Sequence, residues 1–221
     1  MEEDHRRAEA YFNRSGQLFD SLYSEEKVGT LMHTVNRLFR SDIYIRYFLA
    51  MEHLRAAAAK TVLDVGIGGA KYAEGYIECG IERVTGVDIS STMLQFARQH
   101  VQGIPGHENT FKFTLSDIDQ FESDEKFDVV VAMGFFDYVT DSLGTLKRLR
   151  EFCDHSVIAS FPSTSFWRTP IRKARYWLKK CPVFFFKSSQ ILDLSDRAGF
   201  ASCDLTKIEG AGMDYVAILR K

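Results

Sequence analysis

The sequence predicts an α/β protein with a doubly wound, mostly parallel sheet, and three observations lead to this fold class. From residue 61 onwards, short β-branched segments alternate with segments of helical periodicity. The first of these strands is followed directly by a glycine-rich turn, which is typical of the ligand-binding edge of an open α/β sheet. The segment 127–133 is almost continuously apolar, as expected for a strand that is buried on both faces.

A helical extension is predicted to precede the sheet. Residues 3–54 contain no proline and only two glycines, and their apolar residues recur at steps of three and four. We therefore expect residues 1–58 to form an N-terminal helical extension and residues 59–221 to form the α/β domain.

The alternating part of the chain predicts seven strands, over residues 61–65, 83–88, 111–115, 127–133, 156–161, 201–208 and 213–219. Helices are predicted between them over residues 70–79, 92–101, 142–152 and 189–198. Ser90 is the expected N-cap of the helix that begins at Thr92. Residues 163–187 interrupt the alternation after the fifth strand, so we predict an insertion there, with a helix over 169–180.

The overall charge is close to neutral, but the charges are unevenly distributed. The 221 residues include 28 Lys and Arg and 30 Asp and Glu, a formal net charge of −2, and 45% are hydrophobic. This composition excludes wholesale disorder and argues against a general nucleic-acid-binding protein. Residues 155–192 nevertheless contain seven Lys and Arg and no Asp or Glu, so a basic segment lies on an otherwise acidic chain.

Nothing in the sequence predicts secretion, membrane insertion or a metal centre. The charged start has no apolar segment of the signal-peptide type, and no apolar run approaches the ~18 residues of a transmembrane helix. The four cysteines are scattered and the histidines lack metal-ligand spacing, so neither a disulfide framework nor a metal site is expected. These features predict a cytoplasmic protein.

The glycine-rich turn is the strongest motif. In VLDVGIGGA, residues 62–70, Gly66 and Gly68 permit a tight turn and the close approach of a ligand. Lys71 stands where a dinucleotide-binding G-x-G-x-x-G pattern needs its last glycine, and no Walker A lysine follows. Because Asp64 precedes the glycines, the turn favours a cationic ligand over a pyrophosphate.

Two further polar positions follow strand ends. Asp88 lies 20 residues after Gly68, where a carboxylate can accept hydrogen bonds from both hydroxyls of a ribose. Ser116 and Asp117 follow the third strand, where a polar side chain can meet the amino group of an adenine. A ligand with an adenine, a ribose and a positively charged tail satisfies all three positions.

Together, VLDVGIGGA, GVDIS, LSD and FDVVVAMGFFDY resemble the class I S-adenosylmethionine-dependent methyltransferases over about residues 60–162. The resemblance implies a seven-stranded Rossmann-like sheet and S-adenosylmethionine as the cofactor. Ala70 departs from the family, which often has a third glycine there. The cofactor-binding residues predicted from the motifs and the resemblance are Asp64, Gly66, Gly68, Gly69, Asp88, Ile89, Met93, Ser116, Asp117, Ile118, Met133 and Gly134.

The loop after the fourth strand is the expected place of the chemistry. Methyl transfer is an in-line displacement that needs a base only if the acceptor must lose a proton, and Asp137 and Tyr138 are the predicted catalytic residues. The [DN]-P-P-[YF] motif of nucleobase methyltransferases is absent. A more distant resemblance links this loop and the N-terminal YFN to the magnesium-protoporphyrin methyltransferase group, which carries His-Tyr near Asp137 and Tyr138. Alternatively, Asp137 caps the next helix and Tyr138 packs on it.

Acceptor-binding residues are predicted in the extension and in the insertion. Tyr11, Tyr23 and Arg46 can close over the cofactor, or they can simply belong to amphipathic helices that cover the sheet. Arg168 and Arg172 fall near one helical face of the insertion, which predicts a lid that binds an acidic, apolar acceptor. A solvated basic helix face and peripheral contact with an anionic membrane are the alternatives.

We therefore expect a methyltransferase that acts on a small molecule, and we favour oxygen as the acceptor atom because a carboxylate can serve as the base. Methylation of nitrogen or carbon remains an alternative, as does a non-catalytic S-adenosylmethionine-binding regulatory protein. An NAD-dependent oxidoreductase is disfavoured by the missing final glycine.

Overall fold

The computed structural model of the chain describes residues 9–10, 13, 30–106, 109–163, 184–208 and 214–221, with only the backbone for residues 30–42. The described residues form one seven-stranded sheet flanked by helices. This is the predicted Rossmann-like α/β fold.

The strands are β1 (Thr61–Val65), β2 (Arg83–Asp88), β3 (Phe111–Leu115), β4 (Phe127–Ala132), β5 (Cys153–Phe161), β6 (Ser202–Lys207) and β7 (Tyr215–Arg220). The helices with described bounds are α1 (Thr30–Ala56), α2 (Ala73–Glu78), α3 (Ser91–Gln102), α4 (Ser142–Phe152) and α5 (Ser188–Arg197). All seven strands were predicted, each to within three residues of its bounds.

The strand order β3-β2-β1-β4-β5-β7-β6 determines where a ligand can bind. The first five strands in this order pair in parallel, whereas β7 is antiparallel to both β5 and β6. The order reverses between β1 and β4, so the connections from their carboxyl ends diverge and leave a crevice above the sheet. Asp64 lies in β1 at this point, opposite Gly86 of β2 and Val131 of β4.

The helix after the glycine turn begins later than predicted. The sequence predicts its start at Ala70, but α2 begins at Ala73. Gly68 and Ala70 have φ angles of +56° and +55°, which lie outside the α-helical region, so the chain completes its turn before the helix can begin. The next helix, α3, is capped as predicted, since the Ser90 side chain accepts a hydrogen bond from the backbone N–H of Met93 at 3.2 Å.

Helix α1 covers one face of the sheet. Ala50, Met51 and Leu54 are buried in a cluster that also contains sheet residues such as Val62 and Ile158. His53 adds a polar contact, with its Nε2 2.7 Å from Oγ of Ser156 in β5. The described part of the predicted extension therefore packs directly on the α/β core, and the division at residue 58 stays a prediction.

The two ends of the predicted insertion are tied to the carboxyl edge of the sheet. The backbone N–H of Phe186 donates to the carbonyl of Pro162 at 2.8 Å, and that of Phe184 donates to the carbonyl of Asp137 at 3.0 Å. The predicted helix over 169–180 lies outside the described residues. Within the ranges given above, no helix combines the length and the apolar character needed to cross a membrane.

Candidate active site

One cleft opens at the carboxyl edge of the sheet, above the point where the strand order reverses. All twelve predicted cofactor-binding residues line it, together with two other predicted site residues, Arg46 and Tyr138. The remaining lining residues are Ile43, Val65, Ile67, Lys71, Tyr72, Val87, Asp119, Phe135, Val139 and Thr145. The motifs from four strand ends and from helix α1 therefore meet in a single site.

The glycine turn is packed tightly against the loop that follows β4. Gly66 has φ +74°, and its backbone N–H donates to the carbonyl of Val87 at 2.8 Å. A Cβ at this position would lie 3.1 Å from Cδ2 of Phe135, closer than ordinary van der Waals contact. Glycine is thus favoured at residue 66 both by its backbone angle and by the approach of the Phe135 ring.

The second acidic position, Asp88, is held by the backbone of the turn. Its Oδ2 accepts from the N–H of Gly68 at 2.9 Å, and its Oδ1 accepts from the N–H of Ser90 at 2.8 Å. Burial raises the pKa of Asp88, while these backbone N–H groups and that of Ile89 counteract the shift. Each carboxylate oxygen retains lone-pair capacity for a hydroxyl of a ligand.

Asp64 is the most deeply buried carboxyl group of the cleft, with 6% of its surface exposed. Its Oδ2 accepts a 2.7 Å hydrogen bond from the hydroxyl of Tyr76, a residue with no exposed surface. Burial raises the pKa of Asp64 to about 7, with a smaller upward contribution from Asp88, and the Tyr76 hydrogen bond acts in the opposite direction. The group can therefore change its charge near neutral pH.

The third polar position forms a turn after β3. The backbone N–H of Ser116 donates to the carbonyl of Asp88 at 3.1 Å, which brings the ends of β2 and β3 together. Asp117 Oδ1 accepts from the N–H of Asp119 at 3.1 Å, and a turn follows over residues 118–120. Asp117 therefore belongs to a turn and does not cap an α-helix.

The loop after β4 separates the two predicted catalytic residues. Tyr138 lines the cleft, whereas Asp137 is not among the described lining residues and has 6% of its surface exposed. The N-cap of α4 is Asp141, whose Oδ1 accepts from the N–H of Gly144 at 2.9 Å. The alternative that Asp137 caps this helix is therefore wrong.

Arg46 brings a cation from α1 to the cleft. Its Nη2 forms a short ion pair with Oδ2 of Asp214, and the two side chains have 14% and 1% of their surface exposed. Its Nη1 lies 3.7 Å from where a Cβ on Gly134 would stand. The other predicted acceptor-binding residues, Tyr11, Tyr23, Arg168 and Arg172, lie outside the described residues.

Two residues that contact predicted site residues were missed by sequence reasoning. Tyr76 was read only as part of a helix, and Asp214 lies far along the chain from Arg46. No sequence motif marks either residue, because each is brought to the site by packing. Phe135 could have been found, since it follows Gly134, a predicted cofactor-binding residue, in the motif FDVVVAMGFFDY.

Metal ligands do not cluster in the part of the chain that is described. No group of three or more His, Cys, Asp or Glu side chains is arranged there to hold an ion. The predicted absence of a metal stays a prediction for the whole chain.

Sequence comparisons relate the chain to methyltransferases. Residues 62–155 match the family model of a methyltransferase domain. The chain is 27% identical over 179 residues to the ubiquinone biosynthesis O-methyltransferase of Pasteurella multocida, covering 73% of this chain and 74% of the relative. It is 28% identical over 190 residues to the enzyme of the same name from Actinobacillus pleuropneumoniae serotype 5b, covering 78% and 80%.

Solved structures share the fold over nearly the whole chain. The structure of magnesium protoporphyrin IX methyltransferase from Synechocystis PCC 6803 with bound SAM has a TM-score of 0.77 at 20% identity. The match covers 99% of this chain and 97% of that chain. The same protein with bound SAH has a TM-score of 0.75 at 19% identity, covering 97% and 98%. At this level of identity the likeness concerns the fold.

Proposed function

Because this chain belongs to the class I S-adenosylmethionine-dependent methyltransferases, we propose that it methylates an oxygen atom of a small apolar molecule in this cleft. The observation that carries the proposal is that one cleft combines a charged wall with an aromatic wall. One wall carries the carboxylates of Asp64 and Asp88 beside the glycine turn, and the other carries the aromatic residues Phe135 and Tyr138.

The first wall fits the chemistry of the cofactor. S-adenosylmethionine supplies a methyl group on a positively charged sulfur atom, and its ribose offers two hydroxyls. Asp88 stands at the end of β2 with both oxygens already oriented by backbone N–H groups, so we assign it to the ribose. Asp117 is assigned to the adenine, and Asp64 supplies negative charge for the cationic tail.

Arg46 is assigned to the carboxylate at the end of the cofactor's methionine part. The sequence predicts an acceptor-binding role, but Arg46 lines the cleft beside Gly134, in the loop whose Phe135 packs against Gly66 of the glycine turn. The cofactor's only anionic group requires a cation, and Arg46 can bind a carboxylate in the bidentate manner typical of arginine. This position supports a cofactor contact better than an acceptor contact.

The second wall suits an apolar acceptor. Phe135 packs edge-to-face on Phe136 at 5.7 Å, and Phe136 stacks on Phe161 at 4.5 Å. These rings give the loop after β4 a rigid apolar backing next to the cleft. The relatives named as O-methyltransferases support oxygen as the acceptor atom.

Tyr138 is the polar group that we assign to the acceptor. It lines the cleft beside Phe135, so its hydroxyl can orient the acceptor oxygen through a hydrogen bond. Because Asp137 is buried and is not among the described lining residues, we propose that it acts indirectly, by holding the loop that carries Tyr138. We also propose that Arg168 and Arg172 bind an acidic group on the acceptor. The insertion that carries them ends close to the loop after β4, since the backbone N–H of Phe184 donates to the carbonyl of Asp137, next to Tyr138.

A cytoplasmic location also remains part of the proposal. The three described cysteines, Cys79, Cys153 and Cys203, are free thiols, as expected in a reducing compartment. Peripheral contact of the basic insertion with an anionic membrane is a further prediction.

The test is a methyl-transfer assay with S-adenosylmethionine labelled on its methyl group. The acceptor panel contains phenols, catechols and carboxylic acids, each beside an amine or thiol of the same carbon skeleton. We expect labelled methyl ethers or esters, formed by wild-type protein and lost in Asp88→Asn. Asp128→Asn is the matched control, because Asp128 also accepts two backbone N–H groups, at 2.7 and 2.9 Å, but at the amino end of β1.

Each outcome separates the alternatives. Transfer only to the amines or to carbon identifies the nitrogen- or carbon-methylating alternative. Tight binding of S-adenosylmethionine without transfer to any acceptor in small-molecule extracts supports the regulatory alternative. Equal loss of transfer in Asp88→Asn and Asp128→Asn would contradict the assigned role of Asp88.

A further inference from the structure

Asp214 occupies a junction between three parts of the molecule. Its carboxylate pairs with Arg46 of α1 through Oδ2. Its Oδ1 accepts a 3.4 Å hydrogen bond from the backbone N–H of Ser163. Its own carbonyl accepts from the N–H of Ile208 at 2.8 Å. Asp214, directly before β7, thus contacts helix α1, the root of the insertion and the residue that follows β6.

The ion pair is enclosed on the Asp214 side. Only 1% of the Asp214 side chain is exposed, and 14% of the Arg46 side chain. The Nε of Arg46 is buried and makes no hydrogen bond within the described part of the chain. A long cationic side chain without a counter-charge turns towards water, because burial of an unpaired charge is unfavourable.

We propose that Asp214 is a positioning residue that holds the guanidinium of Arg46 beside Gly134, where it binds the carboxylate of S-adenosylmethionine. This inference rests on the proposed role of Arg46. Asp214 is not among the described residues that line the cleft, so we assign its effect on the cofactor to Arg46. Its contact with Ser163 also joins this cofactor contact to the root of the insertion.

Two ligands that differ in one group test the proposal. Decarboxylated S-adenosylmethionine keeps the adenine, ribose, sulfonium and amine, but it lacks the carboxylate that Arg46 would bind. The dissociation constants of both ligands are measured by calorimetry on the full chain for wild type, Asp214→Asn, Arg46→Gln and the double variant. Asp204→Asn is the matched control, since Asp204 of β6 pairs with Arg220 of β7 at an exposed position.

We expect wild type to prefer S-adenosylmethionine by about tenfold or more, as for a charge-assisted hydrogen bond. Asp214→Asn should lose most of that preference and bind the decarboxylated ligand within about twofold of wild type. In the Arg46→Gln background, Asp214→Asn should have no further effect on either ligand. Asp204→Asn should behave as wild type.

Four results would overturn the proposal. The first is an unchanged preference in Asp214→Asn, and the second is an equal loss of affinity for both ligands in that variant, which identifies a purely structural role. The third is tighter binding of S-adenosylmethionine by Asp214→Asn, which shows that Asp214 competes with the ligand carboxylate. The fourth is no preference in wild type. In the last case, labelled methyl transfer by the same protein shows that the proposed function still stands. Wild type that binds neither ligand contradicts both.

Discussion

The hydroxyl of Tyr76 donates a 2.7 Å hydrogen bond to Oδ2 of Asp64 at the floor of the cleft, and both side chains are almost completely removed from water. The bond stabilises the charged form of a carboxyl group that burial disfavours. Asp64 is thus held near the midpoint of its titration at neutral pH. A cationic ligand that enters the cleft would shift this balance towards the carboxylate.

The first prediction concerns the pH dependence of cofactor binding. The pKa of Asp64 is about 7 in the free protein, and a cationic ligand must lower it, so binding releases a proton below that pH. Affinity for S-adenosylmethionine should rise by up to about tenfold per pH unit between about pH 5.5 and 7 and then level off. Calorimetry in two buffers of different ionisation enthalpy measures the proton release directly.

Tyr76→Phe tests the cause of this dependence. Without the hydroxyl, the pKa of Asp64 should rise further and the binding curve should move to higher pH. Tyr47→Phe is the control, because Tyr47 contacts the neighbouring Tyr72 ring edge-to-face and is not bonded to Asp64. A curve that is flat with pH, or that moves equally in both variants, would contradict the role of the hydrogen bond.

The second prediction concerns stability. The pKa of Asp64 is raised from 3.8 to about 7, so the folded protein holds its proton more tightly than the unfolded chain. This group therefore costs stability progressively as the pH rises from about 4 to 7, and the cost is complete above that range. Asp64→Asn should raise the melting temperature at pH 8, by ~2–4 °C for each kcal/mol gained, but not at acid pH.

The same substitution should weaken cofactor binding, which separates stability from function at one residue. Thermal unfolding monitored by circular dichroism at about pH 4 and pH 8 provides the comparison. Asp64→Asn that is less stable than wild type at pH 8 would show that its carboxylate is already paired favourably in the free protein.

The third prediction uses two glycines with nearly equal backbone angles. Gly66 and Gly80 have φ +74° and +73°, so alanine at either position should cost ~1–2 kcal/mol of stability through backbone strain. A Cβ at Gly66 would also meet the Phe135 ring at 3.1 Å, whereas a Cβ at Gly80 would have no other described residue, apart from its chain neighbours, within 4 Å. Only Gly66→Ala should therefore weaken cofactor binding, measured by calorimetry beside chemical unfolding. If Gly66→Ala and Gly80→Ala changed cofactor binding equally, the contact between residue 66 and the Phe135 ring would not explain the effect.

The fourth prediction separates the two residues of the loop after β4. Tyr138→Phe should lower kcat by ~10²-fold or more with an unchanged Kd for S-adenosylmethionine, if its hydroxyl takes part in the reaction. Asp137→Asn should change the melting temperature more than kcat, since Asp137 is buried and does not line the described cleft. Steady-state kinetics on the acceptor found by the methyl-transfer assay decides between them. The reverse pattern would restore Asp137 as the base.

The sequence correctly predicts that the proposed cofactor-binding residues meet in one cleft, because they belong to a local motif at each strand end. Gly66, Gly68 and Asp88 are near one another in sequence and are joined by short connections, so their meeting follows from the strand order alone. The acceptor side is predicted less well. Asp137 and Tyr138 are adjacent in sequence, yet only the backbone path of the loop decides which of them faces the cleft.

The sequence alone predicted the fold class, the cofactor and a set of residues that the structure brings together in one cleft, since periodicity and motif spacing are local properties. The tertiary structure decided which residues from distant parts of the chain contact the predicted site residues. Helix α2 begins at Ala73 because Gly68 and Ala70 have positive φ angles, and helix propensities do not predict these angles. The pairs Tyr76–Asp64 and Arg46–Asp214 depend on packing that buries charged groups and so selects their partners. Burial is a property of the whole fold, which is why the titration of Asp64 and the position of Arg46 emerge only there.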